Sequence, residues 1–230
     1  MMEKYIYHHM GLGDHFTCNG LVRYYYKQFD KVYLFCYKHF ENNIKFMYRD
    51  LPNLYTIGLN SDIEVDEYIS KNNLQDKLIK IGFDKSRALQ HKVETFDEGF
   101  YLAENLPFSL RFDEYFVERD MEKEMELYNT LNPNDDDFIF VHEDPERGMF
   151  LDKNRIRQDL KIIGNDKRFL IFDYIHLISK AKEVHVMQSS LKDMINSYSF
   201  PNTKFFLHNY VRNYDSYANT KGLNQFEILY

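Results

Sequence analysis

An alternation that occurs twice limits this chain more than any other feature. A short apolar run is followed by a polar or glycine-containing turn, then an amphipathic stretch of helical length, then another short apolar run. In the first half, Lys4 to His8 reads as a strand, and Gly11-Leu12-Gly13-Asp14 as a turn. A helix is expected from about His15 to Phe29, with Leu21, Val22, Tyr25 and Tyr26 on its apolar face. Strand Lys31 to Cys36, a helix around Asn42 to Asp50 and strand Asn53 to Gly58 follow. Strands separated by helices cannot pair as hairpins, so they build a parallel sheet with helices on its faces.

The pattern weakens after Asn60. Ile63 to Leu78 carries helical spacing, and Thr95 to Leu110 follows no clear period. Val117 to Leu131 reads as a charged amphipathic helix, and Leu131 to Asp137 (LNPNDDD) breaks the periodicity with Pro, Asn and three successive Asp. The alternation then resumes with strands at Phe138 to His142 and near Leu160 to Ile163, and a helix from about Asp173 to Ala181. Strand Glu183 to Met187, helix Leu191 to Tyr198 and strand Thr203 to His208 complete it. The expected architecture is α/β: two Rossmann-like parallel-sheet halves, 1–131 and 138–230, facing a crevice.

Composition excludes several classes. Over 230 residues, 44% are apolar and 28% charged, enough for a real core. A net charge of -7 is the opposite of a nucleic-acid footprint, so no nucleic acid is expected as a partner. No apolar run reaches about 18 residues, so no integral membrane segment is expected. The opening MMEKYIYHHMGLGDH has no secretory h-region. With only Cys18 and Cys36, a reduced, cytoplasmic protein with buried thiols is expected. The 19 Tyr and 20 Phe, without Trp, are core-filling material whatever the function.

Three loops carry candidate chemistry. Gly11-Leu12-Gly13-Asp14-His15 joins strand to helix, where glycines let a ligand approach the backbone and α/β proteins bind ligands. Asp14 either caps the helix or projects toward a ligand. The third glycine of a dinucleotide fingerprint is absent. After the strand at 138–142, His142-Glu143-Asp144-Pro145-Glu146-Arg147 gathers an imidazole, a guanidinium and carboxylates. It reads either as a solvated loop with local ion pairs or as a grip on phosphate by Arg147. Gln188-Ser189-Ser190 is either a plain N-cap or a phosphate cradle, and it lacks the flanks of a hydrolase nucleophile. His8, His9, Asp14 and His15 are the candidates for a metal site. The two adjacent histidines point to opposite faces of a strand, and no zinc motif is present, so no metal is expected.

Gly11-Leu12-Gly13-Asp14 followed by Asn19-Gly20-Leu21-Val22-Arg23 resembles the first turn and helix of GT-B glycosyltransferases of the heptosyltransferase type. The stretch Ile178 to Ser190 is similar to their nucleotide-sugar half and to the matching segment of fucosyltransferases, as is an Arg in the loop after that half's first strand. The resemblance implies a metal-independent enzyme without cofactor, moving a sugar from a nucleotide-diphosphate donor to a glycan or small-molecule acceptor. It implies Asp14 as general base, with His15 orienting it or the acceptor, and inversion at the anomeric carbon. Gly11, Gly13, Asn19, His142, Arg147, Ser189 and Ser190 would bind the substrates. The chain is shorter than usual for that family, so trimmed halves are expected, and Gln-Ser-Ser stands where Asp-Ser-Gly is commoner. Two alternatives accompany this reading: a nucleotide-sugar or sugar-binding protein without turnover, and a metal-dependent hydrolase using the N-terminal histidines.

Overall fold

The computed structural model describes residues 2–212 and 221–230. The chain divides into two compact units, Met1–Glu118 and Arg119–Tyr230.

The first unit opens with β1 (Glu3–Tyr7), α1 (Leu12–Tyr26), β2 (Lys31–Tyr37), α2 (Glu41–Met47), β3 (Leu54–Leu59), α3 (Asp62–Lys71) and β4 (Leu78–Lys80). The four strands are parallel in the order β3-β2-β1-β4. Both faces of the sheet are covered, and therefore Ile6, Val32, Leu34 and Cys36 are wholly buried. On one face Tyr5, Tyr7, Met10 and Phe35 pack with Val65 and Ile69 of α3. The unit closes with α4 (Phe83–Leu89), α5 (Glu98–Ala103) and α6 (Leu110–Asp113). α1 is buried continuously from His15 to Arg23, as a helix enclosed on every side must be.

Two features depart from the sequence expectation. α1 begins at Leu12 because Gly11, at φ -64 and ψ 145, takes the N-cap position. Leu12, Gly13 and Asp14 are thus its first turn and not a connection before it. β4 begins at Leu78, where the expected helical stretch from Ile63 ends, and the sequence pattern predicts no strand there. α3 ends at Lys71, Asn73 takes a left-handed conformation at φ 53, and the chain turns back to the sheet.

The second unit holds α7 (Met121–Leu131), β5 (Phe138–Val141), β6 (Lys161–Gly164), α8 (Tyr174–Lys180), β7 (Glu183–Val186), α9 (Ser190–Asn196), β8 (Lys204–His208) and β9 (Phe226–Leu229). Its five strands are parallel in the order β6-β5-β7-β8-β9. β9 was not foreseen. The sequence pattern puts α7 in the first half, whereas the division lies upstream of it and α7 packs on α8. Asp120 caps α7 by accepting from the Lys123 N–H at 3.1 Å. The crossover from β5 to β6 carries no α-helix. It is an irregular segment, 142–160, that lays Leu151 and Ile156 on Ile139, Val141 and Met187.

Candidate functional site

In each unit the strand order reverses at one point, and in α/β sheets the carboxyl ends of the strands beside that point form the natural ligand crevice. In the first unit the reversal lies between β1 and β4, and in the second between β5 and β7.

At the first point the chain leaves β1 through His8, His9 and Met10. Asp14 is half-buried, and a Cβ built on Gly11 would come within 2.7 Å of its Oδ2. Glycine at position 11 is therefore what leaves room for this carboxylate. Gly13 lies in the same helical turn. Asp62, the first residue of α3, accepts from the Tyr7 hydroxyl at 2.5 Å and the Tyr37 hydroxyl at 3.1 Å. Desolvation raises the Tyr37 phenol pKa, with the Asp62 bond and the Asp62 and Asp14 charges adding to the rise. Two carboxylates and a phenol are thus near neighbours beyond β1 and β2. The His9 ring lies tilted against Phe83 with centroids 4.3 Å apart, and burial lowers its pKa. Tyr37 and Asp62 were missed in the sequence, although residues just beyond the ends of parallel strands are where a ligand would be expected.

The structure uses two of the expected residues internally. Asn19 is wholly buried. Its Oδ1 accepts from the Phe116 N–H at 3.1 Å and from Arg23 Nε at 3.2 Å, while its Nδ2 donates to the Phe116 carbonyl at 3.3 Å. Arg23 itself is a clamp, reaching both oxygens of Asp50 at 2.8 Å. His15 does not bond Asp14. It lies fully buried, edge-on to His8 at 4.3 Å, and neither ring nitrogen has a hydrogen-bond partner among the described residues. An α1 that starts at Leu12 turns residue 15 inward while residue 14 stays half-exposed. Desolvation holds both imidazoles neutral, with the His8 pKa lowered to about 4. Among the described residues, no group of three or more His, Cys, Asp or Glu side chains is placed to hold a metal ion.

At the second point, His142 and Ser189 come together. The His142 N–H donates to the His185 carbonyl at 2.9 Å, which extends the β5–β7 ladder by one bond. Its Nδ1 lies 3.4 Å from the Ser189 hydroxyl. Ser189 occupies the N-cap position of α9, but its side chain makes no capping bond, so the oxygen is turned to the imidazole instead. Desolvation lowers the His142 pKa to about 4. Ser190 opens α9 and is half-buried.

The acidic loop largely serves its own shape. Asp144 and Met149 bridge antiparallel around Gly148. Glu143 accepts from the Leu151 N–H at 2.8 Å, and Glu146 pairs with Lys167. Arg147 is exposed, with Nε 3.4 Å from Asp144. Beside this loop a cavity of about 240 Å³ is lined by residues including Val141, Glu143, Ile156, Gly164 and Lys167.

No protein-family model matches the sequence, and neither does any curated protein. A solved structure does match in fold: the glycosyl transferase family 9 protein from Veillonella parvula. It is 11% identical, with a TM-score of 0.58, over 99% of this chain and 86% of that chain. At so low an identity the likeness concerns the fold. Among the described residues each unit holds a parallel sheet, of four and of five strands. The chain has the α/β fold of two parallel Rossmann-like sheets seen in that glycosyltransferase.

Proposed function

We propose that the chain is a glycosyltransferase that moves a sugar from a nucleotide-diphosphate donor to an acceptor hydroxyl without a metal. The observation that carries this reading is the fold likeness to a glycosyltransferase along 99% of the chain. The half-buried Asp14 carboxylate, in the first turn of α1, supports it. Asp14 takes the proton of the acceptor hydroxyl as that oxygen bonds the anomeric carbon. The bond from that carbon to the diphosphate breaks, and the negative charge passes to the leaving nucleoside diphosphate. Ser189 and Ser190 donate to its oxygens, with the neutral His142 beside them. Arg147 exchanges Asp144 for the diphosphate, at small cost because exposed ion pairs contribute little. The acceptor is a glycan or small molecule.

The test begins with thermal-shift binding of UDP, GDP, ADP and CMP and their common sugar conjugates, with and without EDTA. Stabilisation by one class, unaffected by EDTA, is expected, because a ligand held only by the folded state raises stability. With that donor, Asp14→Asn should abolish transfer and leave donor binding within about twofold. A wild-type protein that binds the donor but transfers to no acceptor would favour a binding protein. Silence across the panel with stabilisation by a divalent metal would overturn the transferase reading.

A further inference from the structure

One chain of polar side chains in the second unit includes neither His142 nor Ser189. It runs from β7 through β8 to the crossover. The Asp152 N–H donates to the Tyr210 hydroxyl oxygen at 2.8 Å. The Tyr210 oxygen lies 2.7 Å from His208 Nδ1, His208 Nε2 lies 2.9 Å from His185 Nδ1, and His185 Nε2 lies 3.4 Å from Glu183 Oε2. His185 and His208 are buried, and the His185 ring is stacked on Phe206 at 4.5 Å.

The directions of these bonds follow from the ends. The Glu183 carboxylate can only accept, which puts the His185 hydrogen on Nε2 and the His208 hydrogen on Nε2, so the Tyr210 hydrogen goes to His208 Nδ1. His208 is then protonated on Nε2 and donates to His185 Nδ1. His185 is in turn protonated on Nε2 and donates to Glu183. Every donor has an acceptor, both imidazoles are neutral, and their tautomers are set.

A further proton has one place to go. The bond between the rings already holds a hydrogen, and so does the bond to Glu183, which leaves His208 Nδ1. Once protonated, this nitrogen is a donor. The Tyr210 oxygen then faces two N–H groups, and its own hydrogen loses its acceptor. The charged groups around the pair act in both directions. Arg155 lies over the Tyr210 ring at 4.8 Å, and Arg157 reaches Glu183 at 3.3 Å. Asp152, Glu183 and Glu227 oppose them. Burial outweighs the carboxylates: it lowers both pKa values, that of His208 to about 4, with His185 and Arg155 adding to the fall.

Asp152 belongs to the 142–160 crossover, which covers this face of the sheet without a helix. The rest of the crossover is held by the apolar contacts of Leu151 and Ile156, the His142 and Glu143 amides on the His185 carbonyl and the Asn165 side chain, the Glu146–Lys167 pair, the Arg157–Glu183 contact and the Arg155 bond to the Tyr230 carbonyl at 2.6 Å. We infer that the Glu183–His185–His208–Tyr210 chain is an acid-released latch, holding the Asp152 stretch of the crossover on the sheet while both imidazoles are neutral and freeing it when His208 takes a proton. Lys153 and Ile156 of the crossover wall the cavity beside β5 and β6, so release opens that cavity. The inference is independent of the transferase reading.

The test is amide hydrogen exchange on the whole chain, corrected for intrinsic rates. With the imidazole at 6.5 when released and about 4 when latched, protection of the Asp152 amide should fall about 25-fold between pH 7.5 and 5. The Lys182 amide, bonded to the Phe138 carbonyl at 3.0 Å, should keep its protection. His208→Gln should remove the pH dependence at Asp152. A flat wild-type profile overturns the latch, and so does an equal fall at Lys182, which would mean general acid unfolding. Imidazole ¹⁵N spectra of the wild type at pH 7.5 give a second check that needs no variant. Nε2-H tautomers at both His185 and His208 are expected, and an Nδ1-H tautomer at either overturns the proposal.

Discussion

Taking the chain from pH 7.5 to 4.5 should cost about 2.5 kcal/mol of folding stability through His8 alone. His8 is wholly buried at the end of β1, and its Nδ1–H donates to the His9 carbonyl at 2.6 Å. Desolvation lowers its pKa to about 4, and the His9 charge adds to this while the carbonyl bond opposes it. In the unfolded chain the same imidazole titrates near 6.5. Above that value neither state holds the proton. Below it the unfolded chain takes one and the native state does not, so stability falls until the native pKa is reached. Each pH unit in this window is worth about 1.4 kcal/mol, which over the interval gives the figure above. The assay is urea unfolding of wild type and His8→Gln at both pH values, followed by circular dichroism because the chain has no Trp. The wild type should lose about 2.5 kcal/mol more than the variant, whatever the variant's stability at pH 7.5. Equal losses, or a His8 NMR titration near its ordinary value, would refute the reasoning.

Two further substitutions probe the packing of α1. A Cβ at position 20 would fall on the Leu110 carbonyl oxygen, so Gly20→Ala should force α6 away and cost roughly 1–3 kcal/mol in urea unfolding. Arg23→Met would strip both oxygens of Asp50 of their Arg23 donors and leave the Phe116 carbonyl with the Asn19 amide alone, and should cost roughly 3 kcal/mol, with Asp50→Asn in the same background recovering part of it.

Local patterning determined most of the element list. Short apolar runs such as Phe138–Val141 have too few residues for a helix, so β1, β2, β3, β5, β6, β7 and β8 were legible within a residue or so at each end. The parallel sheets followed from the helices between them. β4 and β9 were not legible. They are short, and Leu78–Lys80 becomes a strand only because β1 offers it an unpaired edge. The start of α1 was misread because a Gly N-cap leaves no side-chain signal, unlike Ser61 and Asp120 before α3 and α7.

The candidate site divides along the same line. That Asp14, His142 and Ser189 lie beyond strand ends was legible, because such a position is defined by chain order. Which side chains meet there was decided by tertiary structure. Tyr37 and Asp62 reach each other from different strand ends, His142 finds Ser189 across a switch point, and Asn19 and His15 are drawn inside by the phase of α1. Periodicity reports the neighbours of a residue along its own element. Partners such as His185 and His208 are set by strand register and crossover path, which depend on how the sheet as a whole is packed.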